Sequence, residues 1–294
     1  MARSGFTTRI CGRTHPEGVS DVWSSDLRTG AKSTPVRRFS IFLITRNEGH
    51  RLGRTLDAIA GFADEVIVVD SGSSDDTVLI AERAGARVVK NSPFPGYGPQ
   101  KRLAEEACRN DWVLNIDADE VVSPALREEI TQLFSASNEL ADAYSIRIID
   151  MLPGETAPPP LAYSVSPVRL YRLSKGRYRD STVHDRVELQ AGARTGRLKA
   201  AILHYSITSL GEQMEKLQRY TTLQAKDFLA ARRRPSRLRI LTEFPVCFLK
   251  SYFGRRYVLR GVYGYLVAIN YAYYRSLRLA KAYEMSRASA STSK

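Results

Sequence analysis

The 294-residue chain has only three cysteines, Cys11, Cys108 and Cys247. They are too scattered for a disulfide framework or a zinc cluster, and a reducing compartment fits their usage. No uncharged apolar run reaches the roughly 20 residues a spanning helix needs. The N-terminus has no continuous apolar segment, so no signal peptide is expected. Residues 1–38 lack apolar periodicity and are rich in Ser, Thr, Gly and Arg, which reads as a disordered leader. Acidic residues are nearly missing from one region. Residues 216–281 hold fifteen Lys/Arg and two Asp/Glu, equal to the +13 of the whole chain, so the remainder is balanced. A near-neutral body with a basic end points to an anionic surface, either nucleic acid or phospholipid.

From Phe39 onward, strand and helix patterns alternate. Ser40–Ile44, Glu65–Asp70, Ala86–Lys90 and Trp112–Ile116 read as buried strands. Between them lie helical patterns: Leu52, Leu56 and Ile59, then Thr77–Ala84 stopped by Gly85, then Gln100–Arg109. That order predicts an α/β fold, Rossmann-like, with a mostly parallel sheet and helices on both faces. Further on, Ser123–Phe134 and Leu210–Ala231 read as helices. Ala143–Asp150 and Pro167–Leu173 read as strands joined by a proline-rich loop, and no solenoid repeat is visible.

Open sheets of this kind bind ligands at the carboxyl ends of their strands. Three polar clusters fall there: Thr45-Arg-Asn-Glu48, Asp70-Ser-Gly-Ser-Ser-Asp-Asp76 and Asp117-Ala-Asp119. Strand alternation would send Asp117 and Asp119 to one side, giving a hard-oxygen site for Mg²⁺ or Mn²⁺ carrying a diphosphate. The competing reading makes them solvated strand-end or helix-capping acids, because Ser123-Pro124 opens a helix just beyond. Asp75 and Asp76 fit better as acids at a helix N-terminus. Gly72 fits a tight turn, Trp112 a core position, and His15 and His50 the surface. Gly96 and Gly98 fit either a loop close to a ligand or a plain turn.

The three clusters together resemble the family 2 glycosyltransferases, inverting enzymes with a GT-A fold. The similarity covers about residues 39–205. The chain is closer still to the bacterial lipopolysaccharide-core β-1,4-glucosyltransferase branch. That likeness includes Pro93-Phe-Pro-Gly-Tyr-Gly-Pro-Gln-Lys101, Asn115-Ile-Asp-Ala-Asp-Glu120, Val183-His-Asp-Arg186 and the aromatic, basic tail.

The resemblance implies a role for each matching position. Thr45 and Asp70 would contact the nucleobase, with Glu48 nearby, and Lys101 would contact base or phosphate. Asp117 would hold the donor ribose or the metal shell. Asp119 would coordinate a divalent metal, Mn²⁺ or Mg²⁺, bridging the diphosphate. Asp185 would be the general base, with Glu188 as fallback; an ion pair of Asp185 with Arg186 or Arg179 is the alternative. His204 would be a further metal ligand or a hydrogen-bonded structural histidine, and His184 would support the site or touch acceptor phosphate.

The resemblance further implies a nucleotide-sugar donor, UDP-glucose, and an anionic lipid-linked glycan acceptor in a bacterium. Catalytic residues would span 39–209, followed by a basic, aromatic helical region over 210–294. Eight of the fifteen tyrosines lie between Tyr252 and Tyr283. Gly261–Tyr274 is uncharged but only about 21 Å long as a helix, short of the roughly 30 Å hydrocarbon core. Tyr and Arg beside apolar segments fit an interfacial helix, which places the protein at the cytoplasmic face of the inner membrane. Helices packed on the catalytic domain are the other reading. A nucleic-acid-binding protein would explain the charge but not the strand-end carboxylates, so no nucleic acid partner is expected. A dinucleotide-dependent oxidoreductase lacks its glycine fingerprint at Thr45–His50. A non-catalytic sugar-nucleotide binder would have no use for Asp119 and Asp185.

Overall fold

The computed structural model describes residues 38–136, 139–181, 186–207, 209–231 and 236–291. The first half alternates as expected: β1 (Phe39–Thr45), α1 (Gly49–Ile59), β2 (Glu65–Asp70), α2 (Thr77–Arg83), β3 (Arg87–Lys90), α3 (Tyr97–Ala107) and β4 (Trp112–Asn115). Then come β5 (Glu120–Val122), α4 (Pro124–Ser135), β6 (Ala143–Asp150), β7 (Val168–Arg172), β8 (Gly176–Tyr178), β9 (Val187–Leu189) and β10 (Thr195–His204). The chain closes with α5 (Leu210–Ala230), α6 (Arg237–Leu249) and α7 (Gly261–Ser291).

Eight strands form one mixed sheet in the order β3-β2-β1-β4-β7-β6-β10-β5. Strands β3, β2, β1 and β4 are mutually parallel, as are β6 and β10, while β7 and β5 pair antiparallel to their neighbours. Residue alternation divides the core. Phe39, Ile41 and Leu43 face one layer with Leu52, Leu56 and Ile59 of α1 and Leu126, Ile130 and Phe134 of α4. Phe42, Ile67 and Val69 face the other, with Ala104 of α3. These apolar side chains are at most 5% exposed, and truncating a fully buried Leu or Ile costs about 2–5 kcal/mol. Helix α4 starts where the sequence says it should: Ser123 Oγ accepts from Leu126 N at 3.2 Å, and Pro124 follows at the first helical position.

The C-terminal helices pack on one another. Ala268, Ala272, Leu279 and Ala282 are fully buried along one stripe of α7. Polar links reinforce the pairing with α5, including Asn270 Nδ2 to Gln213 Oε1 at 2.9 Å and Tyr274 Oη to Gln224 Oε1 at 2.6 Å. Glu243, inside α6, accepts from Arg239 at 3.2 Å and Arg275 at 3.1 Å. A short 3₁₀ turn, Tyr257–Arg260, ties this region to the sheet: Arg260 Nη2 donates to the Asp150 carbonyl at 2.7 Å, and Arg260 Nε to Glu155 Oε1 at 2.8 Å. Several cations expected to face an anionic surface are therefore internal partners. Among the described residues no helix is long and apolar enough to cross a membrane.

Candidate active site

The ends of β1 and β2 place Thr45 directly beside Asp70. Thr45 Oγ1 donates to Asp70 Oδ1 at 3.0 Å, and Asp70 Oδ2 accepts from the backbone N–H groups of Gly72 at 3.0 Å and Ser73 at 2.8 Å. Both residues are at most 3% exposed. The Asp70 carboxylate therefore shapes the turn after β2, where Gly72 takes φ +82°. Asp75 behaves as a helix-start acid: it accepts from Thr77 N at 3.1 Å and Gly49 N at 3.1 Å, locking the starts of α2 and α1 together. The hydrogen bond from Thr77 holds its pKa below the ordinary carboxylate value.

Asp117 and Asp119 are not placed by strand alternation. Strand β4 stops at Asn115, and a turn closed by Glu120 N donating to Asp117 O at 3.0 Å carries both acids. They consequently meet different partners. Asp117 Oδ1 pairs with Lys101 Nζ at 2.9 Å and Oδ2 with Arg169 Nη2 at 2.9 Å. Burial raises the Asp117 pKa, but these two cations outweigh it and hold the carboxyl far below the usual range. Arg169 also donates to Glu120 Oε1 at 2.8 Å and to Asn115 Oδ1. Asn115 Oδ1 further accepts from Lys101 at 3.2 Å and Tyr178 Oη at 2.6 Å. Lys101 is 1% exposed, so it holds Asp117 in place rather than reaching into the cleft. Glu120 is equally buried, and that burial raises its pKa against the opposing charge of Arg169.

Asp119 turns the other way. Its Oδ2 lies 3.3 Å from Arg51 Nη1 and 3.4 Å from His204 Nε2. Arg51 is itself paired with Glu48 at 2.6 Å. His204 arrives through sheet register: β10 runs antiparallel to β5, putting His204 opposite Glu120, next to Asp119. Its other nitrogen, Nδ1, sits 2.7 Å from Asp150 Oδ1. Burial disfavours the imidazolium, yet hydrogen bonds and charge from Asp119 and Asp150 prevail and raise the pKa to about 10. The same imidazolium, with Arg51, holds Asp119 below its ordinary pKa against the effect of burial.

Among the described residues no three His, Cys, Asp or Glu side chains gather as a metal cage. A cation bound with its phosphates does not need one, since Mg²⁺ typically takes one or two carboxylates and completes its shell with phosphate and water. The Asp119 and His204 ligand atoms, 3.4 Å apart, are near the roughly 3 Å expected between adjacent ligands at 2.0–2.1 Å bond lengths. The Asp119 carboxylate suits Mn²⁺ or Mg²⁺, and a neutral imidazole beside it favours the softer Mn²⁺; Asp150 on Nδ1 fixes the ring in the manner of metal-binding histidines. A divalent cation there would replace the proton between Nε2 and Asp119, since an imidazole ligand must be neutral, and the two atoms would then fit it.

Two cavities flank this point. A cleft of about 760 Å³ is lined by Thr45, Arg46, Glu48, Arg51 and Ser71 on one side and by Phe94, Tyr97, Tyr220 and Leu223 on the other. A second, of about 430 Å³, includes Asp117, Asp150, His204, Tyr163 and Arg186. Asp185, His184 and His15 lie outside the described residues. Glu188, the fallback base, is 53% exposed, 3.6 Å from Arg179 and 3.8 Å from Arg186. His50 is exposed and Trp112 is core, as read from sequence. Gly96, at φ +121°, is the residue that opens α3. Gly98 is there for close approach, because a Cβ would lie 2.1 Å from the Arg179 carbonyl oxygen.

Sequence reasoning missed Arg51, Arg169, Tyr178 and Asp150. Only Arg169 carried a local signal, as a charge inside the apolar run Val168-Arg-Leu-Tyr171.

The sheet order, the strand-end carboxylates and the cleft define an α/β protein of the GT-A type. The chain matches the family described as Glycosyl transferase family 2 over residues 40–199. It is 40% identical over 258 residues to an uncharacterized glycosyltransferase of Rickettsia bellii, covering 85% of this chain and 87% of that one. It is 33% identical over 258 residues to the lipopolysaccharide core biosynthesis glycosyltransferase LpsC of Rhizobium meliloti, covering 85% and 93%. A solved portion of TarS from S. aureus is similar at a TM-score of 0.44 and 16% identity, over 86% of this chain and 92% of that one. The protein belongs to glycosyl transferase family 2 and is a glycosyltransferase.

Proposed function

We propose that this enzyme is a metal-dependent inverting hexosyltransferase that moves glucose from UDP-glucose to a lipopolysaccharide-core or other lipid-linked glycan. The observation that carries the reading is the convergence of Asp119 Oδ2 and His204 Nε2 at 3.4 Å, with Arg51 beside Asp119 lining one cavity and His204 lining the other. A divalent cation held there would act as a Lewis acid toward the negative charge of a leaving nucleoside diphosphate. Asp119 and His204 would hold it, with Asp150 orienting His204 and Arg51 adding positive charge beside Asp119. Asp117, neutralised by Lys101 and Arg169, keeps the turn rigid.

The acceptor hydroxyl enters from the 430 Å³ cavity, whose wall includes Arg186 and Tyr163. A guanidinium there suits an anionic acceptor. Asp185 takes the hydroxyl proton as attack proceeds from the face opposite the departing diphosphate, which inverts the anomeric centre. The likeness to LpsC supports a core glycan as acceptor. The outer side of α6 supports attachment to the cytoplasmic face of the inner membrane: Leu238 is 72% and Leu241 77% exposed, with Arg237 and Arg239 on either side of Leu238.

The test is transfer of radiolabelled glucose from UDP-glucose to lipopolysaccharide truncated in its core, with Mn²⁺ and after chelation. Metal-dependent transfer that disappears in Asp185→Asn supports the reading. Undiminished transfer by that variant removes Asp185 from the role of base.

A further inference from the structure

We propose that helix α5 belongs to the donor site, and that Tyr220 on α5 and Tyr97 on α3 form an aromatic clasp for the nucleobase. The inference rests on the reading of the cleft as the donor site. The two sides of that cleft differ in kind. One is polar and charged, built from Thr45, Arg46, Glu48, Arg51 and Ser71; the other is aromatic and aliphatic, built from Phe94, Tyr97, Tyr220 and Leu223. The apolar side is open to solvent, with Tyr97 40%, Tyr220 38% and Leu223 59% exposed.

The clasp is held in place from behind. The phenol oxygens of Tyr97 and Tyr220 lie 3.3 Å apart, so the two rings meet at their tips along the apolar side. Phe94 packs edge-to-face against Tyr97 with ring centroids 5.2 Å apart. Tyr220 and Leu223 stand one turn apart on α5 and share a face. The opposite side of α5, with Thr221 and Ala225 fully buried, packs toward α7. Lys281 of α7 donates to Gln218 Oε1 at 2.8 Å, Thr221 Oγ1 at 3.0 Å and Thr222 Oγ1 at 2.9 Å. A packed helix pair therefore presents the Tyr220 ring.

The order of groups along the site tells which part of the donor meets these rings. Arg51 lines the cleft and touches Asp119; His204 touches Asp119 and lines the second cavity. A diphosphate at Asp119 thus leaves the nucleoside in the cleft, and the hexose and acceptor in the second cavity. A base is planar with a π-face on either side, which an aromatic ring takes by stacking regardless of its identity. The polar side opposite then has its own task, contacting base edge and ribose.

The test is calorimetric titration of UDP, and separately of inorganic pyrophosphate, into the full chain with Mn²⁺. The variants are Tyr220→Ala, Tyr97→Ala and Tyr220→Phe. Each alanine variant is expected to weaken UDP about tenfold to a hundredfold, with pyrophosphate affinity unchanged and Tyr220→Phe close to wild type. Unchanged UDP affinity in both alanine variants overturns the clasp. So does a parallel loss of UDP and pyrophosphate, which would signal a disturbed fold or phosphate site. A wild-type chain that binds neither ligand overturns the donor reading itself.

Discussion

Arg169 shows how one side chain organises this site. It is 7% exposed and joins Asp117, Glu120 and Asn115, three acceptors on one turn. Taking a guanidinium and two carboxylates out of water is costly, and their mutual attraction offsets that cost only while all three remain. Replacing Arg169 with Met is therefore expected to destabilise the fold by about 3–5 kcal/mol, because Glu120 keeps a buried charge with no cation beside it. Urea unfolding of the variant measures this, and a loss below about 1 kcal/mol, the scale of a surface pair, would show that the turn does not depend on the guanidinium. The roles at this scale separate by partner: Asp117 faces Lys101 and Arg169, which fix it, and Asp119 faces Arg51 and His204. Thr45, Asp70, Asp119 and His204 were legible as residue types at strand ends. The network around them was not, because Arg169 and Tyr178, which reach Asp117 and Asn115, and Asp150, which reaches His204, come from distant segments that only the folded sheet brings near.

At the scale of elements, helix and strand periods were readable from residue spacing, and the first seven elements lie within a few residues of where the pattern puts them. Alternation failed for Asp117-Ala-Asp119 because the strand ends two residues earlier, and a tight turn has no period to read. Gly98 also had an ambiguous signal, since a glycine needed for close approach looks like one needed for a turn. It sits against Arg179–Ser181, with Gly98 N donating to Ser181 O at 3.0 Å. Gly98→Ala is expected to cost about 1–3 kcal/mol by overpacking and to lower glucose transfer by shifting the backbone that leads toward Asp185. Wild-type stability and turnover in that variant would contradict the close-packing role.

The C-terminal helices carry their own electrostatic signature. Burial raises the Glu243 pKa, but Arg239 and Arg275 outweigh it and leave it below the ordinary carboxylate value of about 4.5. A depressed folded pKa gives stability that is present above about 4.5 and is lost as pH falls through the folded value. Thermal unfolding from pH 7 to pH 3 should therefore show the gap between wild type and Glu243→Gln closing below about pH 4.5. A constant gap would contradict the ion cluster.

For the whole molecule, the basic region divides between internal contacts and exposed apolar positions. Its inner side is structural: Arg260 fastens the 3₁₀ turn to Glu155 and the Asp150 carbonyl, and Lys281 braces α5. Its outer side keeps exposed apolar residues, Val246 and Leu249 at 57% and 53% and Val262 at 74%. An overall charge of +13 is thus not a measure of the charge available to a partner. The account expects the protein to float with vesicles containing phosphatidylglycerol. A Leu238→Asp/Leu241→Asp variant should bind at least about a hundredfold more weakly, since two fully buried leucines contribute about 1.5–3 kcal/mol each. Equal flotation of the two proteins would remove α6 from the membrane contact.

The central claim is that Asp119, with His204, holds the metal-bound diphosphate of the donor. It is tested most directly by calorimetric titration of UDP and UDP-glucose into wild type and Asp119→Asn, with and without Mn²⁺. The account predicts binding by wild type that requires the metal and is lost in the variant. Metal-independent binding, or equal binding by wild type and Asp119→Asn, would contradict it.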